Sequence, residues 1–350
     1  MLNKPYITAL IDTYNQGRFV EEAIESVLAQ DFPMNEVEII VVDDGSTDDT
    51  PARIRRFAGR IRYIRKPNGG QASALNAGFG AAQGEIIAFL DGDDTWRRDK
   101  LAYLKHAFEA RPDVGMVYHP FEYFSQETRQ SWMDSNFPAI SGPVLDNRPD
   151  ILRYGNLSTS GIALRRKQMA PLFPIPERLR LYADAHIAYL AFFVAPVFAL
   201  TEHLTRYRLH GGNLHAGTSG EAHARASTEH LESIIAGMEE WLRRQGFSLE
   251  APHVRLYLRR FRLKQEEFRL EIGNPSRVRL LQFCWKRQRL YGPVWTSRYR
   301  AFRVLADLAS VVVGKRRFAA IQAIYASRRN AAYLREKVLR TYSIPPGKAA

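Results

Sequence analysis

The chain has 350 residues, of which 45% are hydrophobic and 11% aromatic, as is ordinary for a globular protein with a buried core. Its single cysteine, Cys284, excludes an intramolecular disulfide and a cysteine-rich metal site. The longest apolar run, 187–200, contains a proline and is shorter than the ~20 residues that span a bilayer. The N-terminus enters a strand pattern without the apolar core of a signal peptide, so we expect a cytoplasmic protein.

The net charge of +13 comes entirely from the C-terminal part of the chain. Residues 1–215 hold 24 Lys and Arg and 26 Asp and Glu, a net charge of −2. Residues 216–350 hold 26 and 11, a net charge of +15. The length allows two domains or one large one, and attraction to an anionic partner is expected of residues 216–350 alone.

Strand patterns alternate with helical patterns over the first 118 residues. The predicted strands are 6–11, 37–42, 61–64, 86–90 and 114–118, and helices are predicted at 20–28, from Pro51, at 71–82 and at 98–110. This alternation with short connections indicates an α/β fold whose sheet is mostly parallel and flanked by helices.

Later parts of the chain are less regular. Residues 119–149 have no clear period, and we expect an irregular loop there. Strands are predicted at 162–164 and 197–201, with an apolar helix after Asp184 between them. Beyond residue 216 helical patterns dominate.

Polar clusters follow three of the predicted strands, at 12–15, 43–46 and 91–94. Ligands of parallel sheets bind beyond the carboxyl ends of the strands, so these clusters should converge on one cleft. The third cluster places three carboxylates in four positions, and like charges that close repel unless a cation compensates them.

The acidic stretch has three interpretations. A tight turn is one, since Asp-Gly is good turn chemistry. A calcium loop needs Gly at its sixth position and Glu at its twelfth, where this chain has Trp96 and Ala102. An open divalent-metal site that also holds phosphate oxygens fits the carboxylates better.

An ordered series of motifs extends these clusters, at 7–15, 26–30, 41–48, 68–70, 76–78, 89–96 and 207–213. Together they resemble the family 2 inverting glycosyltransferases of the GT-A fold. The resemblance implies a Rossmann-like GT-A domain over 1–215, with residues 216–350 as a mainly helical, basic extension. It also implies metal-assisted transfer of a sugar from a nucleotide-sugar, expected to be a UDP-sugar, to a hydroxyl of a glycan or lipid-linked glycan.

The same resemblance assigns roles to individual residues. The nucleotide-binding residues it implies are Asp12, Tyr14, Asn15, Asp43, Asp44, Asn68, Gly69 and Asp91. The ring of Tyr14 suits stacking on a nucleobase. Asp44 is matched to recognition of the uracil or ribose, with a turn or helix cap as its structural alternative. The metal ligands it implies are Asp91, Asp93 and His210, and Mg²⁺ or Mn²⁺ suits such hard donors.

Asp184 matches the family's catalytic base, which takes the proton of the acceptor hydroxyl. It lies in the sequence Tyr-Ala-Asp-Ala-His, where relatives often have Glu in place of Ala183. The structural alternative is an acid that complements a helix N-terminus. Leu75 is a second departure, since relatives often carry Arg there; Arg65, Lys66 and Arg208 are candidates to replace it at the diphosphate.

Other functions are weighed against this one. A catalytically silent subunit that binds sugar-nucleotide or glycan would keep the cleft without transfer. A sugar nucleotidyltransferase would need a Gly-rich basic loop near the N-terminus, and 12–15 is not one.

The basic segment has its own alternatives. Residues 254–270 interleave apolar residues with Arg, which indicates amphipathic helices that pack on the catalytic domain or lie on an anionic membrane. A solvated basic face is the structural alternative. No nucleic acid is expected, because the segment contains no recognition module.

Overall fold

The structure is a computed structural model that describes residues 4–125, 129–134, 137–146, 148–154, 157–211, 213, 221–273 and 275–314. Gly212, within the last of the motifs, lies outside these residues. The chain divides into two compact units, Met1–Ala216 and Gly217–Ala350.

The first unit contains two β-sheets. Its strands are β1 (Ile7–Thr13), β2 (Val37–Asp43), β3 (Arg62–Arg65), β4 (Ile86–Asp91), β5 (Thr95–Trp96), β6 (Met116–Tyr118), β7 (Phe121–Ser125), β8 (Gln130–Met133), β9 (Ile162–Arg165), β10 (Val197–Ala199) and β11 (Thr205–Leu209). The larger sheet has the order β10-β6-β9-β4-β1-β2-β3, and β4, β1, β2 and β3 run parallel. The smaller sheet has the order β5-β11-β7-β8.

Helices flank the larger sheet and form the second unit. Those of the first unit are α1 (Val20–Leu28), α2 (Thr50–Ile54), α3 (Gln71–Ala81), α4 (Lys100–Ala110), α5 (Arg148–Arg153), α6 (Arg166–Met169) and α7 (Ala183–Val194). The second unit has α8 (Glu221–Arg244), α9 (Pro252–Arg269), α10 (Arg277–Tyr291) and α11 (Ser297–Val313). Within the described ranges, none of these helices combines the length and apolar character needed to cross a bilayer.

Burial explains the apolar runs of the central strands. Every residue of β1 except Asp12 is buried, and β4 is buried up to Asp91. Strands covered on both faces read as continuous hydrophobic runs rather than as an alternation. The core on one side includes Ile11, Ile24 and Leu104, which come from a strand and two helices. The predicted α/β class with a helical C-terminal region is confirmed.

The expectation of an irregular loop over 119–149 was wrong in part. The chain forms β7 and β8 there, paired antiparallel with Tyr123 opposite Trp132. All four residues of β8 are exposed, so no buried face imposes an apolar alternation on its sequence.

Candidate active site

The ends of three parallel strands bring the acidic clusters together. Asp12 pairs with Asp91 across β1 and β4, and Thr13 pairs with Asp43 across β1 and β2. The polar segments after these strands therefore lie at one edge of the sheet, as the sequence pattern predicts.

Electrostatics at this edge favour a bound cation. Burial raises the pKa of Asp12, and the charge of Asp93 raises it further. The pKa of Asp91 lies well above its usual range because of burial and then the charge of Asp12. Oδ1 of Asp12 is buried and has no hydrogen-bond partner among the described residues. The carboxylates thus repel one another until a positive charge joins them.

The loop after β4 is held by β11. Nε2 of His210 lies 3.1 Å from Oδ2 of Asp93. The backbone N–H of Arg208 donates to Asp94 at 2.9 Å, and its Nε donates to the carbonyl oxygen of Asp93 at 2.8 Å. Arg208 is 1% exposed, and its Nη2 also donates to Glu22 at 2.6 Å. This guanidinium fixes the acidic loop, so it is not placed to contact a diphosphate.

The side chains implied as metal ligands form no complete protein-only site. In the part of the chain that the structure describes, no group of three or more His, Cys, Asp or Glu side chains is arranged to hold a metal ion. Mg²⁺ usually keeps several waters and is bound by one or two carboxylates together with substrate phosphates. Asp91 and Asp93, close to the unpartnered Asp12 oxygen, fit a cation of that kind.

The loops after β1 and β2 are joined by Asn15. Its Oδ1 accepts from the backbone N–H of Thr47 at 2.8 Å, and its own N–H donates to Ser46 Oγ at 2.9 Å. Asn15 has a φ of +54°, in the left-handed region that asparagine tolerates better than most residues. Beside it Tyr14 is 47% exposed, so its ring is accessible to a planar ligand.

Asp43 and Asp44 are both occupied by protein donors. Asp43 is fully buried and accepts from the N–H of Ser46 at 2.8 Å and the hydroxyl of Tyr63 at 2.7 Å. Asp44 accepts from Lys66 Nζ at 2.7 Å and from the N–H of Gly70 at 2.7 Å. These bonds join the end of β2 to the loop before α3, and the nucleotide role of Asp44 stays a prediction.

The loop before α3 is packed against the segment before α7. Gly69 donates its N–H to Asp44 at 3.0 Å, and Asn68 Oδ1 accepts from Arg180. Gly70 has a φ of +86°, and a Cβ there would lie 2.7 Å from the backbone of Arg180. Only glycine meets both requirements, so the Asn-Gly-Gly motif has a structural reason.

Gln71, which no sequence motif indicated, connects the two sides of the cleft. Its Nε2 donates to Thr159 Oγ1 at 3.0 Å and to Asp91 Oδ1 at 3.4 Å. Its Oε1 accepts from the N–H of Ala183 at 3.2 Å. The available signal was its position directly after Asn-Gly-Gly.

Asp184 lies in the first turn of α7 and faces the acidic cluster. Tyr182 precedes the helix, and its backbone lies in the left-handed region with a φ of +64°. Burial raises the pKa of Asp184 to about 6, against the lowering effect of nearby backbone hydrogen bonds. The charge of Asp184 in turn raises the pKa of Asp12 and of Asp91, so these carboxylates share one site.

A buried amine, that of Lys100, lies behind the cluster, and no sequence motif indicated it. Its Nζ donates to the Ser160 carbonyl at 2.7 Å and to Thr205 Oγ1 at 3.0 Å, and it lies 4.4 Å from the ring centroid of Trp96. Ser160 Oγ accepts from the backbone N–H of Asp91 at 2.9 Å. Burial lowers the pKa of Lys100 well below its usual range, and the charge of Asp94 opposes that shift.

Comparisons with known proteins identify the family of the chain. The family model described as glycosyl transferase family 2 matches residues 8–169. An uncharacterized glycosyltransferase of Nostoc sp. is 36% identical over 242 residues, which cover 67% of this chain and 72% of that protein. The succinoglycan biosynthesis protein ExoO of Rhizobium meliloti is 46% identical over 99 residues, 28% of each chain.

Solved structures show the same fold. TarS of S. aureus, in complex with UDP-GlcNAc, matches with a TM-score of 0.54 and 21% identity, over 88% of this chain and 92% of that one. The mannosyltransferase PcManGT of Pyrobaculum calidifontis, in complex with GDP-Man and Mn²⁺, matches with a TM-score of 0.54 and 20% identity, over 95% and 83%. The chain belongs to glycosyl transferase family 2 and is a glycosyltransferase with the GT-A fold.

Proposed function

We propose that this enzyme transfers a sugar, with inversion, from a UDP-sugar to a hydroxyl of a glycan or lipid-linked glycan, with Asp184 as the general base. The observation that carries the proposal is the placement of Asp184 beside the acidic cluster. A base is most effective when its pKa lies near the working pH, and burial brings that of Asp184 to about 6.

The donor would be held at the carboxyl edge of the sheet. Tyr14 offers the base an exposed ring, and Asn15 and Gly69 belong to the loops around it. Asp91 and Asp93, with His210, would hold Mg²⁺ or Mn²⁺ against the diphosphate. The cation, when bound, supplies positive charge to the departing diphosphate.

In the proposed displacement, the base and the leaving group lie on opposite faces of the anomeric carbon. Asp184 accepts the proton of the acceptor hydroxyl as its oxygen bonds to the anomeric carbon. The bond from that carbon to the diphosphate oxygen breaks on the opposite face, so the anomeric configuration inverts. Gln71 holds the acidic cluster and the proposed base at a fixed separation, since it contacts Asp91 and the residue before Asp184.

The similar proteins support the finer parts of this proposal. UDP-GlcNAc in TarS favours a UDP-sugar, although PcManGT binds GDP-Man. Mn²⁺ in PcManGT favours a divalent cation, and the similarity to ExoO, a succinoglycan biosynthesis protein, favours an acceptor in polysaccharide biosynthesis. We place the enzyme at the inner face of the cytoplasmic membrane, in peripheral contact through residues 216–350, where lipid-linked acceptors are exposed.

The test is release of nucleotide from a panel of UDP-, GDP- and TDP-sugars, with and without Mn²⁺, in the presence of soluble and lipid-linked glycan acceptors. We expect Mn²⁺-dependent turnover of a UDP-sugar, an inverted anomeric proton signal in the product, and no turnover by Asp93→Asn. Retention of the anomeric configuration, or full activity in the presence of a strong chelator, would contradict the proposal.

A further inference from the structure

Helix α11 has an inverted arrangement of polar and apolar residues. Leu305, Leu308 and Val312 are 66%, 51% and 69% exposed, and their spacing places them on one face. The opposite face carries Asp307, which is 5% exposed and accepts from Arg287 and from Gln288 of α10. The helix therefore buries its one carboxylate and exposes its leucines, and exposed leucines are unfavourable for a surface in water.

Helix α10 has a second exposed apolar stripe. Val278, Leu281 and Trp285 are 62%, 47% and 60% exposed and recur at intervals of three and four residues. The buried face of the helix already contains its own apolar set, Leu280, Phe283, Cys284 and Leu290. Helix α10 is thus apolar on both faces, and only one of them is used within the described chain.

The surroundings of the two stripes are strongly basic. Residues 277–314 contain eight Lys and Arg and one Asp, a net charge of +7. The guanidinium of Arg289 lies 5.2 Å from the ring centroid of Trp285 on the exposed face of α10. Trp, Leu and Arg on one exposed helix face are the composition of helices that lie in the headgroup region of a bilayer.

Helix α9, for which the sequence left a membrane role open beside packing on the protein, is arranged differently. The apolar residues of 254–270 are turned inward: Val254, Tyr257, Leu258 and Phe261 are each less than 5% exposed. Its outer face is left with charges such as Arg259 and Arg262, and Arg262 pairs with Glu239 at 2.6 Å. An apolar face that is already buried in the protein cannot also insert into a membrane.

We propose that α10 and α11 form a membrane-docking element that binds an anionic lipid surface, with Trp285, Leu281, Leu305 and Leu308 in the acyl boundary and the arginines at the headgroups. This specifies the membrane contact of the proposed function but does not depend on sugar transfer. Charge favours lipid over a second copy of the chain, since two faces of like charge repel whereas anionic headgroups attract. A nucleic acid would neutralise the arginines but leave the leucines and valines in water.

The test is flotation of the full-length protein with phosphatidylcholine vesicles, with and without phosphatidylglycerol. We expect binding that requires phosphatidylglycerol. Leu305→Ser/Leu308→Ser should weaken it by about tenfold or more, because two leucine side chains no longer leave water on binding. The matched control is Trp132→Ser/Met133→Ser, which removes two side chains of comparable exposure, 48% and 55%, from β8 and should leave binding unchanged.

Three results would overturn the proposal: no binding to anionic vesicles, equal binding by the leucine variant, or a dimer in sedimentation velocity that the leucine variant abolishes. The changed residues are exposed, and an unchanged melting temperature verifies that the variant is folded. Transfer to a soluble acceptor should persist in the leucine variant, and vesicle binding should persist in Asp184→Asn. Failure of either proposal is thereby distinguishable from failure of the other.

Discussion

The side-chain amide of Gln71 lies 3.4 Å from the carboxylate of Asp91 and accepts the N–H of Ala183 at 3.2 Å. One residue at the start of α3 therefore contacts the acidic loop of β4 and the helix that carries the proposed base. Neither contact is strong on its own. Together they set the distance between the acidic cluster and the proposed base. The rate of a displacement reaction depends steeply on such distances.

Gln71→Ala should lower kcat by about 10–100-fold, since small misplacements of reacting groups have effects of that order. We expect a smaller change in the affinity for UDP, because Gln71 does not belong to the rim around Tyr14. Gln83→Ala is the control, as Gln83 is an exposed residue outside the cleft. Steady-state kinetics with a soluble acceptor and calorimetric titration of UDP distinguish the two effects. Equal losses of kcat and UDP affinity would contradict a positioning role.

Lys100→Met should destabilise the protein by about 1–3 kcal/mol, because Ser160 and Thr205 lose the buried donor from which both accept. Lys100 is 0% exposed and its Nζ donates to Ser160 and Thr205. Lys105→Met on the same helix breaks a surface ion pair with Glu36 and should cost less than about 1 kcal/mol. Urea unfolding of both variants checks this, and similar losses in the two would show that the buried amine has no special role.

Asp12→Asn should stabilise the enzyme without donor at pH 8. Burial, with the charge of Asp93, raises the pKa of Asp12 in the folded state to about 7, above its value near 4 in the unfolded chain. The folded state therefore binds the proton more tightly, and stability is lost as pH rises between these two values. The amide removes that loss, so we expect a melting temperature several degrees higher at pH 8 and unchanged near pH 4.

Asp48→Asn is a control of opposite sign. Burial acts to raise the pKa of Asp48, but hydrogen bonds from Thr50 and Gly17 outweigh it and lower the pKa. Its charge then stabilises the folded state above the unfolded pKa, and Asn should lower the melting temperature at pH 8. A melting temperature for Asp12→Asn that falls in parallel would show that Asp12 is a structural acid.

Tyr14→Ala should weaken UDP binding by about 1–3 kcal/mol, the range for loss of stacking between a base and an aromatic ring. Tyr14→Phe keeps the ring and should bind UDP as the unchanged enzyme does. Titration of UDP in the presence of Mn²⁺ measures both. Equal affinity in the alanine variant would remove Tyr14 from the nucleotide site.

The sequence was sufficient to predict which segments form the cleft, since strand runs and their polar ends are local signals. Asp12 and Asp91 are 79 positions apart, yet the parallel arrangement alone indicates that they lie together. Lys100 could not be predicted in this way. Its partners Ser160 and Thr205 are 60 and 105 positions away, and no local sequence pattern indicates these contacts.

The sequence also does not indicate which face of a helix is buried. The period of α11 shows that Leu305 and Leu308 share a face, but a period does not tell which face meets a neighbour. Hydrophobicity alone would have turned the leucines inward. Arg287 and Gln288 of α10 instead bind Asp307, so that the face with Asp307 is buried and the leucines are exposed. These contacts are visible only in three dimensions.

The central claim is that Asp184 removes the proton of the acceptor, and the most direct test is transfer by Asp184→Asn across a range of pH. We expect kcat/KM of the unchanged enzyme to fall tenfold per pH unit below about 6, where the base becomes protonated. Asp184→Asn should lose about 10²–10⁴-fold in kcat and bind UDP with unchanged affinity. Transfer by Asp184→Asn at the rate of the unchanged enzyme would contradict the account.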